Sequence, residues 1–300
     1  MRVSVTGATG LIGRRLVAAL VARGDVVTVL SRSPGASPFD AAVRVVGWDP
    51  LGGPAPVESL SGADAVVHLA GEPVAQRWNA RSKEAIRRSR EDGTRNLVAG
   101  IAAADPRPAV LVSSSAVGYY GACGDELVDE KHLAGTDFLA GVCVAWEREA
   151  LAARELGVRV VCVRTGVVLD GTGGALKQML RPFRAGVGGP VAGGRQYMPW
   201  IHSGDVVGIY LRALDDAAWS GPVNATAPEP VTNKEFSRAL GRALHRPAVA
   251  PLPALALRAL YGEMAAIVTT GQRAVPAAAL AGGYVFAHPG LAAALADALA

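Results

Sequence analysis

Thr6-Gly7-Ala8-Thr9-Gly10-Leu11-Ile12-Gly13 follows the β-branched run Val3-Ser4-Val5 and opens an apolar-periodic segment over residues 11–23. This order of strand, glycine turn and helix decides the fold. Gly7 permits a tight turn, Gly10 lets backbone approach a ligand, and Gly13 lets the helix pack on the strand. The start of the helix then presents free N–H groups and the positive end of its dipole to a phosphate. The spacing is GxxGxxG rather than GxGxxG. Its place at the first strand–helix junction of a βαβ unit gives it meaning, and it reads as a dinucleotide turn.

The next strand, residues 26–31, ends Leu30-Ser31-Arg32. An acid at this point favours NAD(H) by binding the ribose hydroxyls. A hydroxyl and a guanidinium instead suit a 2′-phosphate, which arginine can grip with two hydrogen bonds. NADP(H) is therefore the expected cofactor, ahead of NAD(H), with Arg14 as a possible helper. Further β-rich runs at 43–48, 65–69, 110–114 and 158–163 alternate with helical periodicity at 82–103 and 138–155. That alternation implies an α/β fold, a Rossmann-type doubly wound parallel sheet.

Around residue 170 the texture changes. Glycine clusters at 171–174 and 186–194 read as a mobile crossing, and Thr232 with Glu235 has the spacing of a capping box ahead of a helix over 231–244. The expected division is a cofactor domain of residues 1–170 that also receives roughly 196–226. Residues 171–195 and 227–300 form a smaller substrate-side domain.

Composition bounds the function. Of 300 residues half are hydrophobic and 19% are charged, which excludes a disordered chain. The formal net charge of +4 comes from scattered arginines, with no basic run interleaved with aromatics, so no nucleic-acid partner is expected. No apolar stretch reaches about 18 residues, so no membrane span is expected. Three separated cysteines without CxxC spacing fit reduced thiols, and with no targeting shape at the start the expected location is cytoplasmic. No metal site is expected.

Several motifs, taken in order, carry a family resemblance. The turn TGATGLIG, the run His68-Leu69-Ala70-Gly71-Glu72 and Ser113-Ser114-Ser115 resemble the extended short-chain dehydrogenase/reductase superfamily. SSSAVGYYG at 113–121, RTGVVL at 164–169, GGRQYMPWIHSGD at 193–205 and NATAPEPVTNKEF at 224–236 are similar to one branch of it. That branch is the "epimerase family" group, sugar-nucleotide epimerase-like, with a small C-terminal domain of unknown function. The resemblance implies that Gly7, Gly10, Leu11, Ile12 and Gly13 hold the pyrophosphate and that Ser31 and Arg32 meet the adenosine ribose or its phosphate. It also implies that Leu69, Ala70, Gly71 and Glu72 line the cofactor, that Ser113 and Ser114 pass beneath the nicotinamide, and that Ser115 binds the substrate oxygen. His68 reads as a packed histidine.

One departure matters. The superfamily moves protons with a Tyr-x-x-x-Lys pair on the helix read here at 138–155, the lysine lowering the tyrosine pKa. Matching the acid that closes that motif to Glu147 puts Leu139 at the tyrosine and Cys143 at the lysine. A shift by one gives Phe138 and Val142. Three readings remain. Tyr119 or Tyr120 does the proton work, protons come from water or substrate, or the protein binds NADP(H) without turnover as a redox sensor or regulator. Cys143 reads as a small buried hydrophobe.

On the substrate side, Arg164 ends a strand, and Arg195, Gln196, Trp200 and His202 lie in the segment that crosses back over the substrate in relatives. Asp205 is expected to cap the helix 206–214. The expected activity is an oxidoreductase or epimerase acting on a small polar, sugar-like molecule. Relatives often form homodimers through two long helices, here 82–103 and 138–155.

Overall fold

The computed structural model describes residues 1–36 and 38–300. Strands β1 (Arg2–Thr6), β2 (Val26–Ser31), β3 (Arg44–Gly47), β4 (Ala65–His68) and β5 (Val110–Ala116) alternate with helices α1 (Leu11–Ala22) and α2 (Ala80–Ala103). After β6 (Leu127–Val128) come α3 (Phe138–Leu151), β7 (Arg159–Thr165), β8 (Val167–Leu169) and α4 (Gly174–Arg184). Then follow β9 (Tyr197–Met198), β10 (Trp200–His202), α5 (Ser203–Asp215), β11 (Gly221–Ala225), β12 (Val231–Thr232) and α6 (Asn233–Ala243). The last elements are α7 (Ala254–Tyr261), α8 (Ala266–Thr269), β13 (Arg273–Ala274), α9 (Ala277–Ala281) and α10 (Leu291–Leu299).

Seven parallel strands build the main sheet in the order β3-β2-β1-β4-β5-β7-β11. The chain winds outward from β1 in both directions, so the order reverses between β1 and β4. A crevice opens there, beyond the carboxyl ends of the strands, and ligands of such sheets bind in it. One face is covered by α1 and α5, through Leu16, Val17, Leu20, Val206, Ile209 and Tyr210. The other is covered by α2 and α3, through Leu97, Ile101 and Ala150. Each such leucine taken out of water contributes about 1.5–3 kcal/mol. A separate core gathers Leu176, Leu180 and Phe183 of α4 with Phe236, Leu240 and Leu295 around Trp200.

The helices begin and end for local reasons. Asn79 caps α2 and Asp137 caps α3 by accepting backbone N–H groups. Thr232 and Glu235 form the capping box expected from their spacing, although the helix starts at Asn233 because Val231–Thr232 pairs with β9. The helix read at 138–155 is α-helical only to Leu151. It tightens to a 3-10 turn over Ala152–Leu156 and stops at Gly157, whose φ of 80° suits glycine. The presumed mobile crossing after residue 170 contains the regular helix α4. Strand β11 was not legible because Pro222 interrupts it. It lies at the sheet edge, where a proline costs no ladder bond to a further strand.

At the end of β4, His68 lies fully buried between two threonines. Its Nδ1 is 2.7 Å from Thr6 Oγ1 and its Nε2 is 3.0 Å from Thr94 Oγ1. Burial and the Arg90 charge pull its pKa down to about 4, so the imidazole is neutral at pH 7. The sign of the linkage follows. Above pH 6.5 neither the folded nor the unfolded state protonates this group. Between 6.5 and about 4 only the unfolded state takes up the proton, so stability falls with pH by roughly 3 kcal/mol, and below that window the contribution levels off. Urea unfolding at pH 7 and pH 5 checks this. A His68→Asn variant is expected to show a flatter profile over the same interval.

Candidate functional site

The crevice holds two cavities that adjoin. The smaller, of 420 Å³, follows the carboxyl ends of β1, β2 and β4. Its floor is the glycine turn. Gly7 has φ 67°, and a Cβ there would lie 2.5 Å from the Leu69 carbonyl carbon. A Cβ on Gly13 would lie 2.4 Å from the Gly7 oxygen. Both positions admit only hydrogen. Leu11 and Ile12 open α1, and its first turn carries no acidic side chain to compete for the free N–H groups. Gly7, Gly10, Ser31, Arg32, Leu69, Ala70, Gly71 and Glu72 all line this cavity, whereas Leu11 and Ile12 are not among its lining residues. Arg32 is exposed at the rim and makes no hydrogen bond or ion pair within the described residues. Arg14 instead turns back and donates to the Thr9 carbonyl at 2.8 Å. Trp48, Asp49 and Pro50, after β3, form a wall that no motif announced.

Ser113 and Ser114 do not reach either cavity. Ser113 is fully buried and bonds the Ser114 carbonyl, while Ser114 Oγ lies 2.6 Å from the Tyr210 hydroxyl. Gly13 is buried beneath the turn and acts in packing.

The larger cavity, of 840 Å³, lies between α3, α4, β9 and the α7–α8 segment. It meets the smaller one along two neighbouring pairs of residues. Pro73 and Ser89 line the small cavity, while Val74 and Arg90 line the large one. Leu139 and Cys143 face the large cavity, and so do Phe138 and Val142, so both registers of the missing tyrosine–lysine pair point into it. Burial and the neighbouring Glu147 push the Cys143 thiol up to about 12, so it is no thiolate near neutral pH.

Four expected site residues form an inward network. Ser115 donates to Glu147 Oε1 at 2.6 Å. Arg164 grips the same carboxylate with Nε and Nη2, both at 2.8 Å. Its Nη1 donates to the Tyr120 hydroxyl, which in turn donates to Asn224 Oδ1 at 2.6 Å. The Arg164 guanidinium carbon sits 3.4 Å from the Tyr119 ring centroid. Ser115 and Arg164 are each 3% exposed. Burial pushes the Tyr120 phenol up to about 12. None of these residues lines either cavity. Arg164, expected to face substrate, is a structural ion pair, because β7 points it at α3 rather than at the crevice.

The crossing segment is corrected in the same way. Trp200 is 1% exposed, with its indole N–H on the Glu229 carbonyl. His202, not Asp205, caps α5 by accepting from the Gly204 N–H, and its Nε2 lies 3.1 Å from Asp297. Asp205 sits one turn later and accepts N–H bonds from Ala287 and His288 at 2.7 and 3.0 Å. The ligand atoms of His202, Asp205 and His288 fall within 4.8 Å of one another. The two backbone bonds to Asp205 tie the C-terminal segment to α5. Arg195 is exposed and outside both cavities. Gln196 alone of the crossing set lines the large cavity.

Sequence reasoning missed the groups that give this cavity its character. Trp78, Phe138, Val142, Trp146 and Met179 make the wall largely hydrocarbon, where a sugar would want hydroxyl partners. Among them stands Arg90. Its guanidinium stacks 4.9 Å from the Trp146 centroid and lies against Gly71, where a Cβ would come within 3.1 Å. Its Nη1 donates to the carbonyls of Glu72 and Ile86 at 3.0 and 3.2 Å, and burial lowers its pKa. It sits inside the dense charge pattern of α2, whose outward face is a lattice of pairs such as Arg88–Asp92 and Arg95–Glu149. Its inward register, one helical turn after the buried Ile86, was the available signal.

Comparison with known proteins follows the same outline. Residues 3–225 match the NAD dependent epimerase/dehydratase family, and residues 252–298 match a domain of unknown function, DUF1731. Epimerase family protein Mb2239 of Mycobacterium bovis is 43% identical over 289 residues, covering 95% of this chain and 93% of that one. A crystal structure of human epimerase family protein SDR39U1 with NADPH superposes with a TM-score of 0.88 at 38% identity, covering 100% of this chain and 99% of that chain. The nucleoside-diphosphate sugar epimerase from Corynebacterium glutamicum superposes at 0.79 with 37% identity, covering 100% of this chain and 58% of that one. Among the described residues no helix is long and apolar enough to cross a membrane.

The inward network makes a direct prediction. Arg164→Met strands the Glu147 carboxylate in the core and is expected to cost about 3–5 kcal/mol in urea unfolding. The double variant Glu147→Leu/Arg164→Met is expected to recover most of that loss, because no charge is then left unpaired.

Proposed function

This chain belongs to the NAD dependent epimerase/dehydratase family, and on that premise we propose that it binds NADP(H) in the smaller cavity and works as an oxidoreductase on a carbonyl or alcohol in the larger one. The observation that carries the reading is the junction of the two cavities at Pro73–Val74 and Ser89–Arg90. The glycine turn fits a pyrophosphate, since Gly7 and Gly13 leave only backbone facing it and the N–H groups of Leu11 and Ile12 stand free at the helix start. Ser31 and Arg32 fit a 2′-phosphate, and the Arg32 guanidinium, without a partner among the described residues, is the group such a phosphate would meet. Leu69, Ala70, Gly71 and Glu72 would flank the rest of the cofactor. The human relative crystallised with NADPH supports the same preference.

Bound NADPH supplies a hydride to a carbonyl carbon, and the oxygen must then gain a proton. The chain's own contribution is electrostatic. Leu139 and the neutral Cys143 offer no acid or base, and the tyrosines at 119 and 120 are held in the inward network. The proton would then come from water or from the substrate, and Arg90 would stabilise negative charge on oxygen in a low-dielectric wall. The cofactor domain (1–170 with 196–226) would hold the dinucleotide, and the remainder would close over the substrate. A second reading, binding without turnover as an NADP(H) sensor, draws support from the same hydrocarbon at positions 139 and 143. NADPH oxidation across a carbonyl panel separates the two, with turnover expected.

Cofactor choice is tested by calorimetry. Arg32→Ala is expected to weaken NADP+ about tenfold or more, the worth of a lost charge-assisted contact, and to leave NAD+ affinity unchanged. An equal loss for both nucleotides would remove Arg32 from the phosphate site.

A further inference from the structure

We infer that the larger cavity takes a lipophilic carbonyl compound, with its oxygen on the Arg90 guanidinium and its hydrocarbon body against Trp78, Phe138, Leu139 and Val142. This deepens the NADP(H) reading and rests on it. The first argument is hydrogen-bond accounting. A buried sugar brings several hydroxyls, and each one left without a partner costs about 1–3 kcal/mol. Several polar side chains around the cavity are committed to their own chain. Gln196 Nε2 donates to the carbonyls of Val191 and Val268 at 3.1 and 2.8 Å. Asn233 Oδ1 accepts the Val191 N–H, and Asp137 Oδ1 accepts the Ala140 N–H. Gln272 Nε2 donates to the Gly121 carbonyl. Glu263 is paired with Lys83.

Among the described residues, the Tyr197 hydroxyl, the Arg258 guanidinium and the Trp146 indole N–H on this wall are also without a hydrogen-bond partner, but Arg90 is the one that lies against Gly71 in the lining of the smaller cavity. Its Nη1 is satisfied, while Nε and Nη2 have no partner among the described residues. The Arg90 guanidinium, stacked on Trp146 and against Gly71, keeps two donor groups open to a ligand oxygen. Its position at the junction with the cofactor cavity places that oxygen where a reacting carbonyl would lie. The second argument is size. A volume of 840 Å³ suits a ligand of drug size, and a wall with two indoles and a phenyl ring favours a flat, apolar one.

Calorimetry on the full chain saturated with NADP+ tests this with three probes, namely 2-acetonaphthone, 2-ethylnaphthalene and UDP-glucose. The ketone is expected to bind about tenfold more tightly than the hydrocarbon of the same shape, and UDP-glucose to bind more weakly than the ketone. Arg90→Met is expected to erase the preference for the ketone, and Arg90→Lys to retain part of it. Leu139→Asp is expected to weaken both naphthalenes, with circular dichroism checking the fold of each variant. Tighter binding of UDP-glucose than of the ketone overturns the substrate class. An unchanged ketone preference in Arg90→Met, or loss of NADP+ binding there, overturns the role of Arg90. Failure of the wild type to bind NADP+ overturns the cofactor reading itself and is seen before any probe is added.

Discussion

The backbone of Gly7 rests so closely on Leu69 and Ala70 that no side chain can stand between them. That contact joins β1 to the segment leaving β4, the two strands at which the sheet reverses its order. Beneath it, Thr6, His68 and Thr94 are linked through the buried imidazole, and Thr6 also accepts the Ala70 N–H at 3.3 Å. The floor of the cofactor cavity is therefore set by backbone packing and one neutral histidine. Everything built above it, from the start of α1 to the rim at Arg32, takes its position from this junction.

How legible the molecule was depends on which atoms carry the information. The cofactor half is written in backbone geometry, and backbone geometry leaves a mark in sequence because only glycine satisfies it. The turn at residues 7–13 was accordingly readable one residue at a time, while Ser31 and Arg32 were read from side-chain chemistry and the run 69–72 from family resemblance. The substrate half is made of side chains from α2, α3, α4 and the C-terminal region. Whether Arg164 or Arg90 faces the crevice depends on which side of a strand or helix it occupies and on what waits there. Arg164 looked exposed to ligand because it ends a strand, yet Glu147 across the interface takes both of its forks. Arg90 looked like one more surface charge in an arginine-rich helix, and its inward face was visible only in the register of Ile86.

The same logic explains the fate of the polar motif residues. Ser113, Ser114 and Ser115 alternate in direction along β5, so their hydroxyls go to opposite layers and find partners there. Trp200 and His202 belong to a segment whose polar look comes from capping and core hydrogen bonds. What remains around the large cavity is largely hydrocarbon, with Arg90 and Arg258 as the cations among its lining residues.

The bonds from Asp205 to the backbone at 287 and 288 have a mechanical meaning. Together with the bond from the Gly171 N–H to the Ala298 carbonyl, they stitch the end of the chain to the ends of β8 and β10. The opposite wall, α7 and α8, is anchored mainly by Leu257, Ala265 and the Lys83–Glu263 pair, and it leaves Leu255, Leu260 and Tyr261 in solvent. The large cavity thus has one end closed by backbone bonds and an opposite wall whose outer face leaves three large apolar side chains uncovered.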